Sequence, residues 1–242
     1  MDIDASVLYR IRCKHFVAPT FAGKGASQIP DFVVIAYICL CIPFILMLAF
    51  LEPRSRRVFS FAIVGMTVAL ITSQINSILL EFSGNNYFNT TVNITPVTEE
   101  IAKAIPVLFF TFVMAEKRED IISTSYSVGF GFAMLENITI FLQSTDSLSI
   151  LWVLSRGVGA GLMHGICTAS IGMGMSFVKY QNRLFLPGTL SLLIFAILYH
   201  SIFNTLVQSE NLRQVGVLLP IFTYIPFLVI YWKRIRKNQE YK

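Results

Sequence analysis

The sequence predicts an all-α fold, a polytopic bundle of about seven transmembrane helices. Only 14% of the 242 residues are charged and 55% are hydrophobic, whereas a soluble domain carries about 25% charged residues. Apolar runs recur from residue 31 to the last dozen residues, and most are near the roughly 20 residues that a helix needs to cross a bilayer. They are too long and unbroken for the strands of a membrane barrel.

The predicted spans divide the chain into three parts. Residues 1–31 form an N-terminal segment, extracytoplasmic or interfacial. Residues 32–232 form the transmembrane domain, with a motif-bearing core at 95–210, and residues 233–242 form a basic tail. The spans are 32–51, 58–81, 96–114, 121–142, 150–178, 187–207 and 214–232. The fifth is longer than a membrane requires, so we expect its start to lie in the interface.

Basic residues indicate the orientation of the bundle. The loops "EPRSRRV", "AEKRED" and "KYQNR" hold three, two and two Lys or Arg, and the tail holds five, while the alternating loops are almost bare. The positive-inside rule therefore predicts a multi-pass protein of the cell membrane with its C-terminus cytoplasmic and its N-terminus outside. Four basic residues in the N-terminal segment, Arg10, Arg12, Lys14 and Lys24, oppose this orientation.

Charge and cysteine patterns exclude other classes of protein. The net charge of +5 is spread as short clusters between apolar runs, which is typical of a chain in contact with lipid and not of a nucleic-acid-binding face. The four cysteines show no metal-ligand spacing, and three lie in apolar runs, so we expect no disulfide framework. Asn89 and Asn93 begin glycosylation sequons on the predicted outer side.

The third span begins with an unusual group of charges, "TEEIAK". Glu99 and Glu100 lie about 4–6 Å along the helix from its outer end, and Lys103 follows one turn later, close enough to neutralise one carboxylate. An acidic N-terminal cap, with Pro96 at the first helical position and Thr98 as the capping residue, accounts for one glutamate. It does not account for two glutamates and a lysine, so we predict a functional site here.

The fourth span holds a carboxylate with no basic residue nearby in its own helix. Glu136 and Asn137 lie near the outer end, and Phe132 precedes Glu136 by one turn. A buried carboxylate in such a place must be protonated, bind a metal or face a wet cavity. The alternative is a neutral Glu136 in one inter-helix hydrogen bond. We expect Gly129 and Gly131 to allow close helix approach.

Two further spans carry histidines. Arg156 and His164 are eight residues apart and so share a face of the fifth span, while His200 and Asn204 share a face of the sixth. Each pair has a structural alternative in helix packing or, for Arg156, at the lipid headgroups. The glycines at 157, 161 and 165 predict a tightly packed interface. We interpret Gln74 and Asn76, in the second span, as packing polarity.

These groups lie at similar depths in the predicted membrane. Measured from the predicted outer interface, the glutamate pair lies at about 5 Å, Glu136 at about 9 Å, His164 at about 12 Å and His200 at about 10 Å. Packing polarity gives no reason for this alignment across four helices. We therefore predict one buried polar site that opens toward the outer face.

The chemistry of this site suits the activation of water. A glutamate can act as general base, and His or Asn can donate to an oxyanion; the same set also suits zinc. The first alternative function is that of an ion- or proton-coupled transporter, in which membrane carboxylates relay protons. However, no internal repeat is found and seven spans divide poorly into halves. The second alternative function is that of a non-catalytic membrane receptor or immunity protein.

Four motifs occur in this order along the chain: "EEIAK", "GFGFAMLEN", Arg156-x7-His164 and "HSIFN". Together they resemble the PrsW family of intramembrane proteases, within the wider group of CAAX prenyl endopeptidases and bacteriocin-immunity proteins. The resemblance covers roughly residues 95–210. It implies a peptidase that cuts a membrane-associated protein, in that family a single-pass protein, near the outer face. The CAAX branch carries His where this chain has Glu136, so a prenylated substrate is less favoured.

The resemblance also assigns roles to individual residues. It implies that Glu99 and Glu100 form the catalytic pair and that Glu136 and His164 position water or bind metal. His200 and Asn204 would serve as oxyanion donors or ligands. Lys103, Arg156, Phe132 and Asn137 would support the site, with Lys103 holding the charge of the glutamate pair. A zinc site of Glu100, Glu136, His164 and His200 and a metal-free glutamate mechanism are equally compatible with these residues.

Overall fold

The computed structural model describes residues 31–115, 117–143, 149–176 and 185–240. These ranges contain seven long helices and no strand, which confirms the all-α fold. We number the helices α1 (Asp31–Leu48), α2 (Pro53–Phe82), α3 (Thr95–Val113), α4 (Arg118–Gln143), α5 (Ile150–Ser176), α6 (Phe185–Gln208) and α7 (Arg213–Glu240). The basic residues of the N-terminal segment lie outside the described ranges.

Most helix bounds follow the apolar runs to within a few residues. α2 begins earlier than predicted, at Pro53, because proline suits the first helical position. α7 continues to Glu240, so most of the predicted tail prolongs the last helix. Three described helices are apolar and long enough to cross a membrane, namely Pro53–Phe82, Ile150–Ser176 and Leu186–Gln208. α3 differs from them because it carries Glu99, Glu100 and Lys103 within 19 residues.

The connection between α2 and α3 is largely helical, whereas the sequence suggests a loop. Gly84 and Asn85 turn the chain with φ of 69° and 60°, a left-handed conformation that these residue types tolerate. One helical turn at Tyr87–Asn89 and a π-helix at Thr90–Ile94 then lead into α3. The acceptor side chains Asn89 and Asn93 are exposed, and their glycosylation stays a prediction.

α4 and α5 form the centre of the bundle. α4 packs between α2 and α5, and α5 also contacts α3, α6 and α7. A methyl group on Gly131 would lie 2.0 Å from the carbonyl oxygen of Ala62 on α2, and one on Gly129 would lie 2.5 Å from the carbonyl oxygen of His164 on α5. Only glycine allows these backbones to approach so closely, which confirms the prediction for both residues.

The tight interface predicted along the glycine stripe of α5 forms at Gly165, but the prediction is wrong for Gly157 and Gly161. A methyl group on Gly157 or Gly161 would meet no described atom within 4 Å, and one on Gly165 would meet the ring of Phe130 at 3.1 Å. A four-residue spacing places glycines on one face but does not determine what packs there. α5 makes its close backbone approach through Gly129 of α4 instead.

Apolar side chains lie both inside and outside the bundle. Its centre holds a cluster that includes Val107, Phe110, Ile121, Met163 and Phe203. The outward faces of the helices also carry exposed isoleucine, leucine and phenylalanine side chains. An exterior of this kind suits lipid, where backbone groups are satisfied within each helix. The chain is a membrane protein whose interior is polar at one place.

Candidate active site

Five helices bring polar side chains together near the connection between α2 and α3. Each of them is at most 7% exposed. The group comprises Asn76 of α2, Glu99, Glu100 and Lys103 of α3, Glu136 of α4, Arg156 and His164 of α5, and His200 and Asn204 of α6. The structure thus unites all six predicted catalytic residues in one buried region, as their similar depths suggest.

Glu100 is held by two nitrogen atoms. Its Oε1 accepts from Lys103 Nζ at 2.7 Å and from His200 Nδ1 at 2.8 Å. Both Glu100 and Lys103 are completely buried, so each charge compensates the other away from bulk solvent. Because His200 directs Nδ1 to a carboxylate, its Nε2 turns toward the rest of the site. Glu100 therefore orients His200.

His164 connects Lys103 with Glu136. Lys103 Nζ lies 2.9 Å from His164 Nδ1, and His164 Nε2 lies 2.9 Å from Glu136 Oε2. A lysine ammonium can only donate, so Nδ1 accepts and Nε2 carries the proton that is donated to Glu136. Arg156 Nη2 adds an ion pair to Glu136 Oε2 at 3.3 Å. A continuous network thus runs from Arg156 to His200.

Phe132 and Asn137, the other predicted supporting residues of α4, differ in their placement. The ring of Phe132 lies 4.9 Å from that of His164, and Lys103 Nζ lies 4.6 Å above it, a cation–π geometry. Phe132 therefore supports the site. Asn137 is buried, but its Oδ1 has no hydrogen-bond partner among the residues that the structure describes. Asn137 is not joined to the network of Glu136.

Glu99 has one engaged oxygen and one available oxygen. Asn76 Nδ2 donates to Glu99 Oε1 at 3.2 Å. Glu99 Oε2 makes no hydrogen bond within the described ranges, and it lies 4.0 Å from His200 Nε2. Glu99 thus presents a carboxylate oxygen and His200 presents an imidazole nitrogen to the same space.

The sequence interpretation of Asn76 as packing polarity is incomplete, because Asn76 contacts Glu99. A signal for this contact exists in the sequence. Asn76 precedes the end of α2 by six residues, which is about 9 Å of helix and the same depth as the other site residues. The depth of Asn76 along α2 therefore indicates that this residue belongs to the site.

Asn204 faces the backbone of the π-helix. Its Nδ2 donates to the carbonyl oxygen of Thr91 at 2.9 Å. The neighbouring Gln208 accepts from the Thr91 hydroxyl at 3.3 Å and donates to the carbonyl oxygen of Asn204 at 3.0 Å. These two α6 residues fasten the π-helix over the site, and sequence analysis missed Gln208. The predicted role of Asn204 as ligand or oxyanion donor stays a prediction.

A small cavity, with room for about one water molecule, reaches two of the carboxylates. Its wall is formed by Val33 of α1, by residues of α2 from Ala69 to Asn76, by Glu99, and by residues of α4 from Phe132 to Thr139. Glu99 and Glu136 line this cavity, whereas Glu100 and both histidines lie behind it. A molecule in the cavity would therefore meet Glu99 first on α3.

Comparison with known families decides the class of the protein. The model of the PrsW family intramembrane metalloprotease matches residues 52–231. The chain belongs to the PrsW family. No curated protein and no solved structure gives a significant match. Membership confirms the resemblance seen in the four motifs and extends it from α2 to α7. It assigns this PrsW protein to the peptidases and to intramembrane proteolysis in general.

The family's description as metalloproteases raises the question of which residues would hold a metal. Among the described residues, Glu99, His164 and His200 each offer a ligand atom, and these atoms lie within 4.8 Å of one another. One carboxylate and two imidazoles are a ligand set that catalytic zinc uses, with a further position open. Glu99 Oε2, buried without a hydrogen-bond partner within the described ranges, is a suitable donor.

The candidate ligand set of this PrsW protein differs from the predicted one. It contains Glu99 in place of Glu100 and Glu136. Glu100 Oε1 already accepts hydrogen bonds from Lys103 and His200. Glu136 Oε2 is already bound by Arg156 and His164. Those two carboxylates orient the histidines, as second partners of metal-bound histidines commonly do. Both nitrogens of His164 make contacts, so a metal would replace one of them.

Proposed function

We propose that this PrsW protein is an endopeptidase that cleaves a single-pass membrane protein near the predicted outer face of the membrane, with water activated by Glu99. One observation supports this assignment above the others. The Glu99 side chain lines the cavity at which Glu136 also lies, and its Oε2 makes no hydrogen bond to any described residue. A general base needs a carboxylate oxygen that is not engaged in another hydrogen bond and that the reacting water can reach.

The two adjacent glutamates differ in their surroundings. Glu100 is 0% exposed and does not line the cavity, and two nitrogens hold its Oε1. Its second oxygen also lacks a partner among the described residues, but Glu100 is not among the residues that line the cavity next to Glu99. We therefore assign the base to Glu99, and we assign the orientation of His200 to Glu100.

In the proposed reaction, Glu99 takes a proton from water as the water oxygen attacks the carbonyl carbon of the scissile bond. A doubly protonated His200, with Nδ1–H donated to Glu100, would donate Nε2–H to the carbonyl oxygen as negative charge develops there. Glu99 then gives its proton to the leaving amine. Lys103 and Arg156 compensate the negative charges of Glu100 and Glu136. A metal held by Glu99, His164 and His200 would supply a Lewis acid that makes bound water more acidic.

A cleavage assay tests the proposed function. The purified protein is placed in liposomes with a panel of single-pass membrane proteins, and products are identified by mass spectrometry. We expect at least one substrate to be cut at a bond in or near its outer membrane segment, and we expect His200→Ala to abolish the cut. If no substrate is cut while the same liposomes show proton-coupled flux, the transporter alternative replaces the peptidase.

Metal dependence is a separate prediction. We propose that the ion is zinc, and we expect about one zinc per chain, with His200→Ala weakening zinc binding about a hundredfold or more. Elemental analysis and a competitive zinc chelator measure this, with the exposed Glu81→Gln on α2 as the control. Cleavage that persists in protein shown to be free of metal would contradict the zinc site and would favour the glutamate mechanism.

The cavity predicts the route by which the substrate reaches Glu99. We expect Ser73→Trp to lower kcat/KM about tenfold or more, because Ser73 lines the cavity and an indole there would occupy the space for substrate. The matched control is Ile75→Trp, on the same helix but exposed on the outer face of the bundle. Equal kinetics for the two variants would contradict entry through this cavity.

A further inference from the structure

We propose that Asn76 is a positioning residue that, together with Thr98, fixes the Glu99 carboxylate at the cavity with Oε2 toward His200. This inference rests on the proposed role of Glu99 as base. It adds a member from α2 to a site whose motifs all lie on α3 to α6. The role concerns orientation of the base and not contact with the substrate.

The contact between Asn76 and Glu99 joins two helices inside the bundle. Asn76 is 1% exposed and Glu99 is 2% exposed, and Asn76 Nδ2 lies 3.2 Å from Glu99 Oε1. α2 packs against α3, so Asn76 reaches the glutamate from a different helix. Burial removes the hydrogen bonds that these two polar groups make to water, and their pairing compensates for that loss.

Thr98 is the second hydrogen-bond partner of the Asn76 amide, at the end opposite Glu99. An asparagine amide has an accepting oxygen and a donating nitrogen, and rotation by 180° exchanges them. The Thr98 hydroxyl lies 2.5 Å from Asn76 Oδ1 and 2.9 Å from the carbonyl oxygen of Thr95, and its one proton serves either acceptor. Because an ionised carboxylate only accepts, Nδ2 is the end that faces Glu99, and Oδ1 lies at the Thr98 hydroxyl. A reversed amide would place two oxygens together and would repel the carboxylate.

The consequence for Glu99 is a fixed carboxylate plane. With Oε1 bonded to Asn76, the carboxylate cannot turn without breaking that hydrogen bond. Oε2 is then kept 4.0 Å from His200 Nε2, in a side chain that lines the cavity. Catalytic groups held within a few tenths of an ångström react faster than loosely held ones, because the reacting geometry is already formed.

Steady-state kinetics on the cleaved substrate test the proposal. We expect Asn76→Leu to lower kcat about 10- to 100-fold, with KM changed less than about twofold. Thr98→Val, which removes the orienting hydroxyl, is expected to lower kcat in the same way, whereas Thr98→Ser, which keeps the hydroxyl, is expected to restore most of it. The control is Thr111→Val, a buried threonine of the same helix that bonds to its own backbone at Val107.

The outcomes separate this inference from the proposed function. If the wild type cleaves and Glu99→Gln does not, the function stands, and a kcat within about twofold of the wild type in Asn76→Leu overturns the inference alone. Equal losses in Thr98→Val and Thr98→Ser also overturn it. If Asn76→Leu fails to fold by thermal unfolding in detergent, the two Thr98 variants decide the matter. If Glu99→Gln cleaves as fast as the wild type, the proposed function fails first.

Discussion

Glu99→Gln is expected to lower kcat for cleavage of the membrane substrate by about a thousandfold or more, because glutamine cannot take the proton of the attacking water. The substitution keeps the shape of the side chain and the amide oxygen that accepts from Asn76. We therefore expect the variant to fold and to bind substrate with nearly unchanged KM. Single-turnover cleavage in liposomes, with the variant in excess over substrate, measures the chemical step directly.

Two other glutamates serve as references for this prediction. Glu81→Gln changes an exposed carboxylate on α2 and is expected to leave kcat unchanged. Glu100→Gln is expected to lower kcat through a misoriented His200, since His200 Nδ1 lies 2.8 Å from Glu100 Oε1. A Glu99→Gln protein that retains more than about a tenth of wild-type kcat would remove Glu99 from the role of base.

The sequence predicts much of this architecture because membrane spans follow simple rules. Apolar length determines where helices lie, and the rise per residue converts sequence position into depth. Depth alone places Glu136, His164 and His200 beside the glutamate pair, and the structure connects all of them by hydrogen bonds. The same conversion of sequence position into depth, applied to α2, places Asn76 at a depth similar to that of the other site residues.

Rotation of each helix about its axis is the part that sequence does not determine. Whether Glu99 or Glu100 faces the cavity depends on the angle at which α3 packs, because adjacent residues point about 100° apart. Asn204 turns to the π-helix for the same reason, and no pattern within α6 indicates Thr91 as its partner. The stripe of glycines on α5 has the right spacing for close packing but faces no neighbouring backbone within the described ranges.

Lys103 is the residue whose loss we expect to cost the most stability. Its Nζ bonds to Glu100 at 2.7 Å and to His164 at 2.9 Å, and it is completely buried. Lys103→Met would leave Glu100 as a buried carboxylate without a cation beside it. Breaking such a pair costs about 3 to 5 kcal/mol. Reversible unfolding in mixed detergent measures the free energy of unfolding, with the exposed Lys117→Met as the control.

The double variant Lys103→Met/Glu100→Gln tests whether the loss comes from the unpaired charge. It removes both charges, so no buried ion remains uncompensated, and a buried pair replaced by neutral groups is often tolerated well. We expect the double variant to be more stable than the sum of the two single effects by about 1 to 3 kcal/mol. Additive effects within about 0.5 kcal/mol would show that Lys103 and Glu100 act independently. In that case the cation–π contact with Phe132, at 4.6 Å, and the bond to His164 would account for the role of Lys103.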